Sequence, residues 1–397
     1  MARAEKSIID SKRKNIFNTI VNDLLETSSE SEDEIYHLLA ENSDSDDDTL
    51  LERIVKRCKT TNISKDYMKE VLPEYTAEEF IKEFPISKKL FDDLVRKYEL
   101  SDAYAYLRPD KRLPAALNLS VFLWFAGHEN CSFNDLSERF NLPKSSISRV
   151  IYRIIDFLQG MKDEVIKWPK PMEKQKSAHF FGSKFGFSKA MGCIDVSHIG
   201  IYIHLPPHSC GDYVNPKGNV TLCMQAVCDE RNRFIDVFVK HPGSTHPNQI
   251  LYNSPIYENI STLCEDYYLL GAACYPCSDW IITPFKCDDE VKSYDKYFNL
   301  QHMQAHDIIR CSFCMLKQRF KQLKYCKLRS LEKLGNFVEA CCILHNLSLG
   351  DNLLDITNVT DDGYINNVES IEPDINDRTR MLICEEICKK ISNSEVA

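Results

Sequence analysis

The stretch Gly192-Cys193-Ile194-Asp195-Val196-Ser197-His198-Ile199-Gly200-Ile201-Tyr202-Ile203 constrains the fold of this chain more than any other. Apolar residues, many of them β-branched, flank one carboxylate at Asp195, which is the composition of a buried strand carrying a single acid. A carboxylate in a core strand is costly unless it meets a metal ion, a cation or a hydrogen-bond donor. An Asp that ends a strand and caps a turn fits this stretch, taken alone, equally well.

The chain has 397 residues and a hydrophobic fraction of 43%, enough for two or three domains with a sizeable core. It lacks an apolar run of the ~18 residues a membrane span needs. The opening MARAEKSIIDSKRK is charged and is not a secretory signal. The 17 cysteines are odd in number and scattered through apolar segments, so they read as reduced intracellular thiols, not a disulfide framework. The net charge of −10 is concentrated in two flanks. Residues 26–52 hold 11 acids and no Lys or Arg, and residues 351–378 hold 8 acids and one Arg. The body, 53–350, carries 40 bases against 34 acids, a mildly basic balance compatible with phosphate binding.

The composition divides the chain into five parts. Residues 1–66 read as a mostly disordered acidic segment, because Ser and acid runs bury too little apolar area to offset chain entropy. A short basic cluster, Ser11-Lys12-Arg13-Lys14, has the character of a nuclear import signal. Residues 67–165 are helical, with Ser87 placed to cap a helix and 115–128 reading as a buried helix. Residues 166–190 read as a linker opened by Trp168-Pro169-Lys170-Pro171. Residues 191–350 alternate strands with helices, and 351–397 form an acidic tail with a terminal helix over 379–393.

Within the helical part, 133–155 has the layout of a helix-turn-helix. A short helix starts near Phe133, the chain turns at Asn141-Leu142-Pro143, and a second helix begins through Ser145. Phe133, Leu136, Phe140, Ile147, Val150 and Ile151 face inward, while Lys144, Ser145, Ser146, Ser148 and Arg149 form an outward polar and basic set at a helix start. A second helix that enters a DNA major groove presents such a set, although only Lys144 and Arg149 could make strong contacts. A plain helical hairpin is the alternative.

After the lone strand, 219–239 reads as a β-hairpin turning at 229–232, followed by a helix over 249–260 and a strand over 266–275 that stops at Pro276. Helices are expected over 304–320 and 331–349. This order specifies an α/β architecture, a mixed sheet with flanking helices, preceded by an all-α region.

These motifs, in this order, resemble the transposase-derived nucleases of the PIF/Harbinger group. The matching segments are 185–198, 213–239, Pro242-Gly243-Ser244-Thr245-His246, 269–285 ending Trp280-Ile281-Ile282-Thr283-Pro284-Phe285, 313–320, and Ala340-Cys341-Cys342-Ile343-Leu344-His345-Asn346. The resemblance spans roughly residues 100–350. It implies an RNase H-like DDE nuclease domain, a helix-turn-helix before it, DNA as substrate, and two divalent ions, usually Mg²⁺, clamped by three carboxylates. It also implies a nuclear protein, with some cytoplasmic presence, and a separate Myb/SANT-like protein partner.

Carried over position by position, the first acid is Asp195, the second position holds Ala272 and the third Arg310. Pro247 stands where the family often has Asp. Alanine supplies no ligand, and arginine brings a fixed positive charge. At ~4 Å and an effective dielectric near 20, Arg⁺ and a divalent ion repel by on the order of 8 kcal/mol before relaxation. Asp195 paired with Arg310 would fill the emptied site instead. The expectation is therefore a catalytically silent DNA-binding or scaffolding protein. An active endonuclease would need a shifted acidic set, with Asp307 joined by Glu265, Asp266 or Asp279; an adaptor would have lost DNA contact too. Two CxxC pairs, Cys274 with Cys277 and Cys311 with Cys314, suggest a Cys₄ zinc site, against the alternative of buried thiols. His198, His204 and His208 are candidate phosphate neighbours or metal ligands, and His345 reads as structural.

Overall fold

The computed structural model describes residues 75–105, 112–202, 211–286, 293–328, 330–350 and 377–394. The acidic 26–52 stretch, the 11–14 basic cluster, His204, His208 and most of the acidic tail lie outside the described residues. No helix among the described residues is long and apolar enough to cross a membrane.

The larger of two compact units takes in Glu70–Ser132 and Val150–Ala397. Its centre is a five-stranded sheet in the order β3-β2-β1-β4-β5. The strands are β1 (Ala190–Gly200), β2 (Thr221–Cys228), β3 (Phe234–Pro242), β4 (Tyr268–Gly271) and β5 (Ile281–Ile282). β1, β2 and β3 pair antiparallel; β4 joins β1, and β5 joins β4, in parallel. Parallel pairing needs a covering crossover, and the helices Pro247–Tyr252 and Pro255–Cys264 supply it between β3 and β4. The single helix expected over 249–260 is two, because Pro255 cannot donate to the turn before it and starts a new helix instead. The result is an RNase H-like mixed sheet flanked by helices and preceded by a helical region.

The sheet is buried on both faces. On one side Ile194, Val196, Val227, Ile250, Leu251, Ile260 and Leu269 form a continuous apolar cluster. On the other lies the long helix Ser293–Arg319, eleven residues longer at its start than the sequence pattern indicated. The helix Leu331–Ser348 packs over β3 and is fastened by polar groups. His345 Nε2 donates to the Asn232 carbonyl at 2.9 Å, and Asn346 brackets Phe234, accepting from its N–H at 2.9 Å and donating to its carbonyl at 2.7 Å. The earlier helices pack on this same element: Phe122 and Phe125 meet Phe337, and Lys162 pairs with Glu339 at 2.8 Å.

The 166–190 linker is a correction: Pro171–Phe185 is a 15-residue helix. Pro171 takes a first-turn position, where its missing N–H costs nothing, and Glu173 accepts the backbone N–H of Lys170 at 2.8 Å. Gly186, at φ 89°, ends the helix in the left-handed conformation that a side chain resists. The strand after the hairpin is also shorter than expected, since β4 ends at Gly271 and β5 is a separate edge strand. The terminal helix spans Asp377–Ser394, and its Arg380 lies over the Phe285 ring with Nη1 donating to the Pro284 carbonyl at 2.9 Å.

Residues 133–149 belong to the other unit. The helix Phe133–Phe140 is followed by a turn with Asn141 at φ 49°, and then by the helix Lys144–Gln159. Ser137 Oγ closes the turn by donating to the Leu142 carbonyl at 2.6 Å. Leu136, Phe140 and Ile147 are buried as expected, whereas Phe133 is only half-buried.

Candidate functional site around Asp195

Alternation along β1 turns Ile194 and Val196 into the apolar cluster and Asp195 toward the long helix Ser293–Arg319. Asp195 is 3% exposed, and its Oδ1 accepts the backbone N–H of Val196 at 2.8 Å. Facing it is His306, whose Nε2 donates to the Ile194 carbonyl at 3.1 Å and lies 3.8 Å from Asp195 Oδ2. One turn earlier, His302 Nε2 donates to the Ile282 carbonyl at 2.9 Å, so the two imidazoles tie the helix to β1 and to β5. Their rings stack with centroids 5.8 Å apart. Burial, reinforced by the neighbouring His306, pushes the His302 pKa down to about 3, so it works as a neutral donor.

The parallel register pairs Cys193 with Leu270 and Ile194 with Gly271. Gly271 ends β4, and Ala272 is the residue that follows it. Ala272 packs its methyl against the apolar cluster that holds Ile194 and Val196. Position 310 follows His302 and His306 at intervals of four, which keeps it near the helix face they occupy. There the Arg310 guanidinium forms an ion pair with Asp307 Oδ1 at 2.7 Å. A group that stands against Asp195 is thus His306, and Arg310 reaches Asp307. Cys193, across from Cys228 in the strand register, is raised well above the usual thiol range, first by burial and then by Cys228, Asp195 and Asp307.

The expected zinc ligands are a correction. Among the described residues no three His, Cys, Asp or Glu side chains stand close enough together to hold a metal ion. Cys274, Cys277, Cys311 and Cys314 form no disulfide, Cys314 being turned to accept from Gln318 Nε2 at 3.1 Å and Cys274 packed in the apolar cluster. Burial raises the pKa of Cys274 and of Cys311, which disfavours the thiolates a zinc ion needs. Three of the four alternative acids have other partners. Asp307 meets Arg310, Glu265 meets Lys174 at 3.1 Å, and Asp279 accepts from Thr379 Oγ1. His198 pairs Nδ1 with Thr221 Oγ1 at 3.0 Å. Among the described residues, then, no three carboxylates stand together as a two-ion site would need.

Lys144 and Arg149 are exposed on the helix Lys144–Gln159, and Ser145, Ser146 and Ser148 are half-buried beside them. The residues that sequence reasoning missed are His302 and His306. Their spacing of four on an otherwise apolar helix face was the available signal.

The family described as DDE superfamily endonuclease matches residues 194–346, from the Asp195 strand to the His345-Asn346 clamp. The Arabidopsis thaliana protein named ALP1-like is 24% identical over 283 residues, covering 66% of this chain and 69% of that protein. Human HARBI1, whose name describes a candidate nuclease, is 27% identical over 220 residues, 54% of this chain and 62% of its own length. The Arabidopsis thaliana protein Antagonist of Like Heterochromatin Protein 1 is 26% identical over 224 residues, 52% of this chain and 56% of its own length. No solved structure matches the chain. Strand order, matched segment and relatives agree: the chain carries a DDE superfamily endonuclease domain and is a distant relative of the PIF/Harbinger transposase-derived nucleases.

Proposed function

We propose that this protein binds DNA through the helix Lys144–Gln159 and that its nuclease-like domain serves as a scaffold without cleaving the phosphodiester. The observation that supports this reading is the parallel register of β1 with β4, which pairs Ile194, the residue before Asp195, with Gly271, the residue before Ala272. Phosphodiester hydrolysis on this fold relies on divalent ions held by several oxygen ligands. A single carboxylate beside an imidazole offers too few. Asp307 supports the competing reading of a relocated acidic set, because it and Asp195 both act electrostatically on the Cys193 thiol.

The deciding experiment is a nicking assay on supercoiled duplex with Mg²⁺ or Mn²⁺. Intact plasmid is the expected result; cleavage that vanishes in Asp195→Ala overturns the scaffold reading. Binding is tested separately by a salt titration. Phosphate contacts give a steep log-log slope, and a slope near zero would mean an adaptor without DNA contact. By the same reading the protein works in the nucleus beside a Myb/SANT-like protein, which fractionation and co-purification from nuclei would test.

A further inference from the structure

The sheet does not stop at the end of β1. Ile201 pairs in parallel with Cys326, the Tyr202 N–H donates to the Cys326 carbonyl at 2.8 Å, and the Cys326 N–H donates to the Gly200 carbonyl at 2.7 Å. This extension depends on Gly200, since a Cβ there would lie 2.2 Å from the Lys324 carbonyl oxygen. The pairing brings two tyrosines together on the surface. Tyr202 is 54% exposed and Tyr325 40%, and their ring centroids are 5.9 Å apart with planes inclined at 53°. Large aromatic rings held on paired backbone at this exposure offer ready stacking faces at little entropic cost.

The charge around them selects the partner. Residues 321–327, Lys-Gln-Leu-Lys-Tyr-Cys-Lys, hold three lysines and no acid. Lys321 and Lys324 lie on the short 3₁₀ turn that leads into Tyr325. Lys324 meets Glu129 at 3.5 Å with both side chains 47% exposed, a surface pair that a phosphate can replace at little cost. Lys327 Nζ donates to the Asn130 carbonyl at 2.9 Å, which holds its charge near the same edge. Aromatic faces beside a positive track are the chemistry that binds unpaired bases and their phosphates. Duplex DNA keeps its base faces stacked inside and cannot use the tyrosines.

We propose that Tyr202 and Tyr325, with Lys321, Lys324 and Lys327, form a stacking site for single-stranded DNA at the end of β1. The site deepens the DNA-binding reading and rests on it for the choice of DNA over RNA. The test measures fluorescence anisotropy of a labelled 15-nucleotide oligo-dT, its oligo-rU counterpart and a duplex, using the full chain. Tyr202→Ala with Tyr325→Ala is expected to weaken oligo-dT at least about tenfold, while Tyr202→Phe with Tyr325→Phe stays within about threefold. Lys321→Glu with Lys324→Glu is expected to weaken oligo-dT and flatten its salt dependence. Unchanged oligo-dT affinity in the alanine pair, with an unchanged melting curve, overturns the site, as does tighter binding of oligo-rU than of oligo-dT. Lys144→Glu with Arg149→Glu keeps the two readings apart. Loss of duplex binding there, with oligo-dT retained, supports both; unchanged duplex binding there overturns the helix-turn-helix reading and leaves the tyrosine result to stand by itself.

Discussion

His306 anchors the long helix to the strand residue immediately before Asp195: its Nε2–H donates to the Ile194 carbonyl, and the same nitrogen lies 3.8 Å from Asp195 Oδ2. One imidazole thus satisfies a main-chain acceptor and stands against the buried carboxylate. Replacing it by an apolar group takes this neighbour from the acid and leaves the Ile194 carbonyl without its imidazole donor. His306→Leu is expected to destabilise the fold by about 1–3 kcal/mol, the cost of a buried polar group losing its donor. A urea midpoint within error of the parent would show that the contact is incidental.

The other two core imidazoles predict a weakness to acid. Burial lowers the His302 pKa to about 3, with His306 adding to the effect; burial lowers that of His345 to about 4, against the opposing hydrogen bond to Asn232. Both start from 6.5, so below that pH the unfolded chain takes up protons that the folded protein refuses. Their contribution is complete above pH 6.5 and shrinks as the pH falls, by about 2–3 kcal/mol for each near pH 4.5. His345→Gln, which can still donate to Asn232, is expected to remove its share of this slope. Parallel stability profiles for the variant and the parent between pH 7 and 4.5 would refute the assignment.

Asp236 on β3 acts in the opposite direction. Burial raises its pKa to about 6, with Lys162 opposing the shift and Glu339 adding to it. Between about pH 4 and 6 the folded protein holds a proton that the unfolded chain has released, so stability falls as the pH rises and the full penalty remains above 6. Asp236→Asn is expected to stabilise the protein by on the order of 2–3 kcal/mol at pH 7 and to have little effect at pH 4. Chemical denaturation at the two pH values checks the contrast.

Restoring the missing carboxylates tests the site itself. Ala272→Asp combined with Arg310→Glu is expected to create a Mn²⁺ response, seen as a rise in melting temperature of several degrees at saturating ion. The parent is expected to lack it, and adding Asp195→Ala to the double variant should abolish it. A response that survives without Asp195 would mean that the three positions do not share one pocket.

Much of this molecule was legible locally. The turn at Asn141-Leu142-Pro143, the hairpin around 229–232, the terminal helix and the Asp195 strand all follow from residue preferences acting over a few positions, and each stands where the sequence set it. The Pro171–Phe185 helix had its signals too, Pro171 at the start and Gly186 at the end, but Trp168-Pro169-Lys170-Pro171 resembles a linker when read alone. The short β5 strand and the split at Pro255 were less visible, because two residues carry no period and neighbouring helices blur into one.

The sequence by itself determined which residue types stand at 195, 272 and 310, and the two short-linked helices at 133–140 and 144–159 that precede them. Only the tertiary structure decided that His306 stands against Asp195, that Arg310 pairs with Asp307, and that among the described residues the cysteines gather into no metal-holding group. Periodicity reports which face of an element is apolar. Which residue meets which across two elements depends on long-range register, and no stretch of chain contains that information on its own.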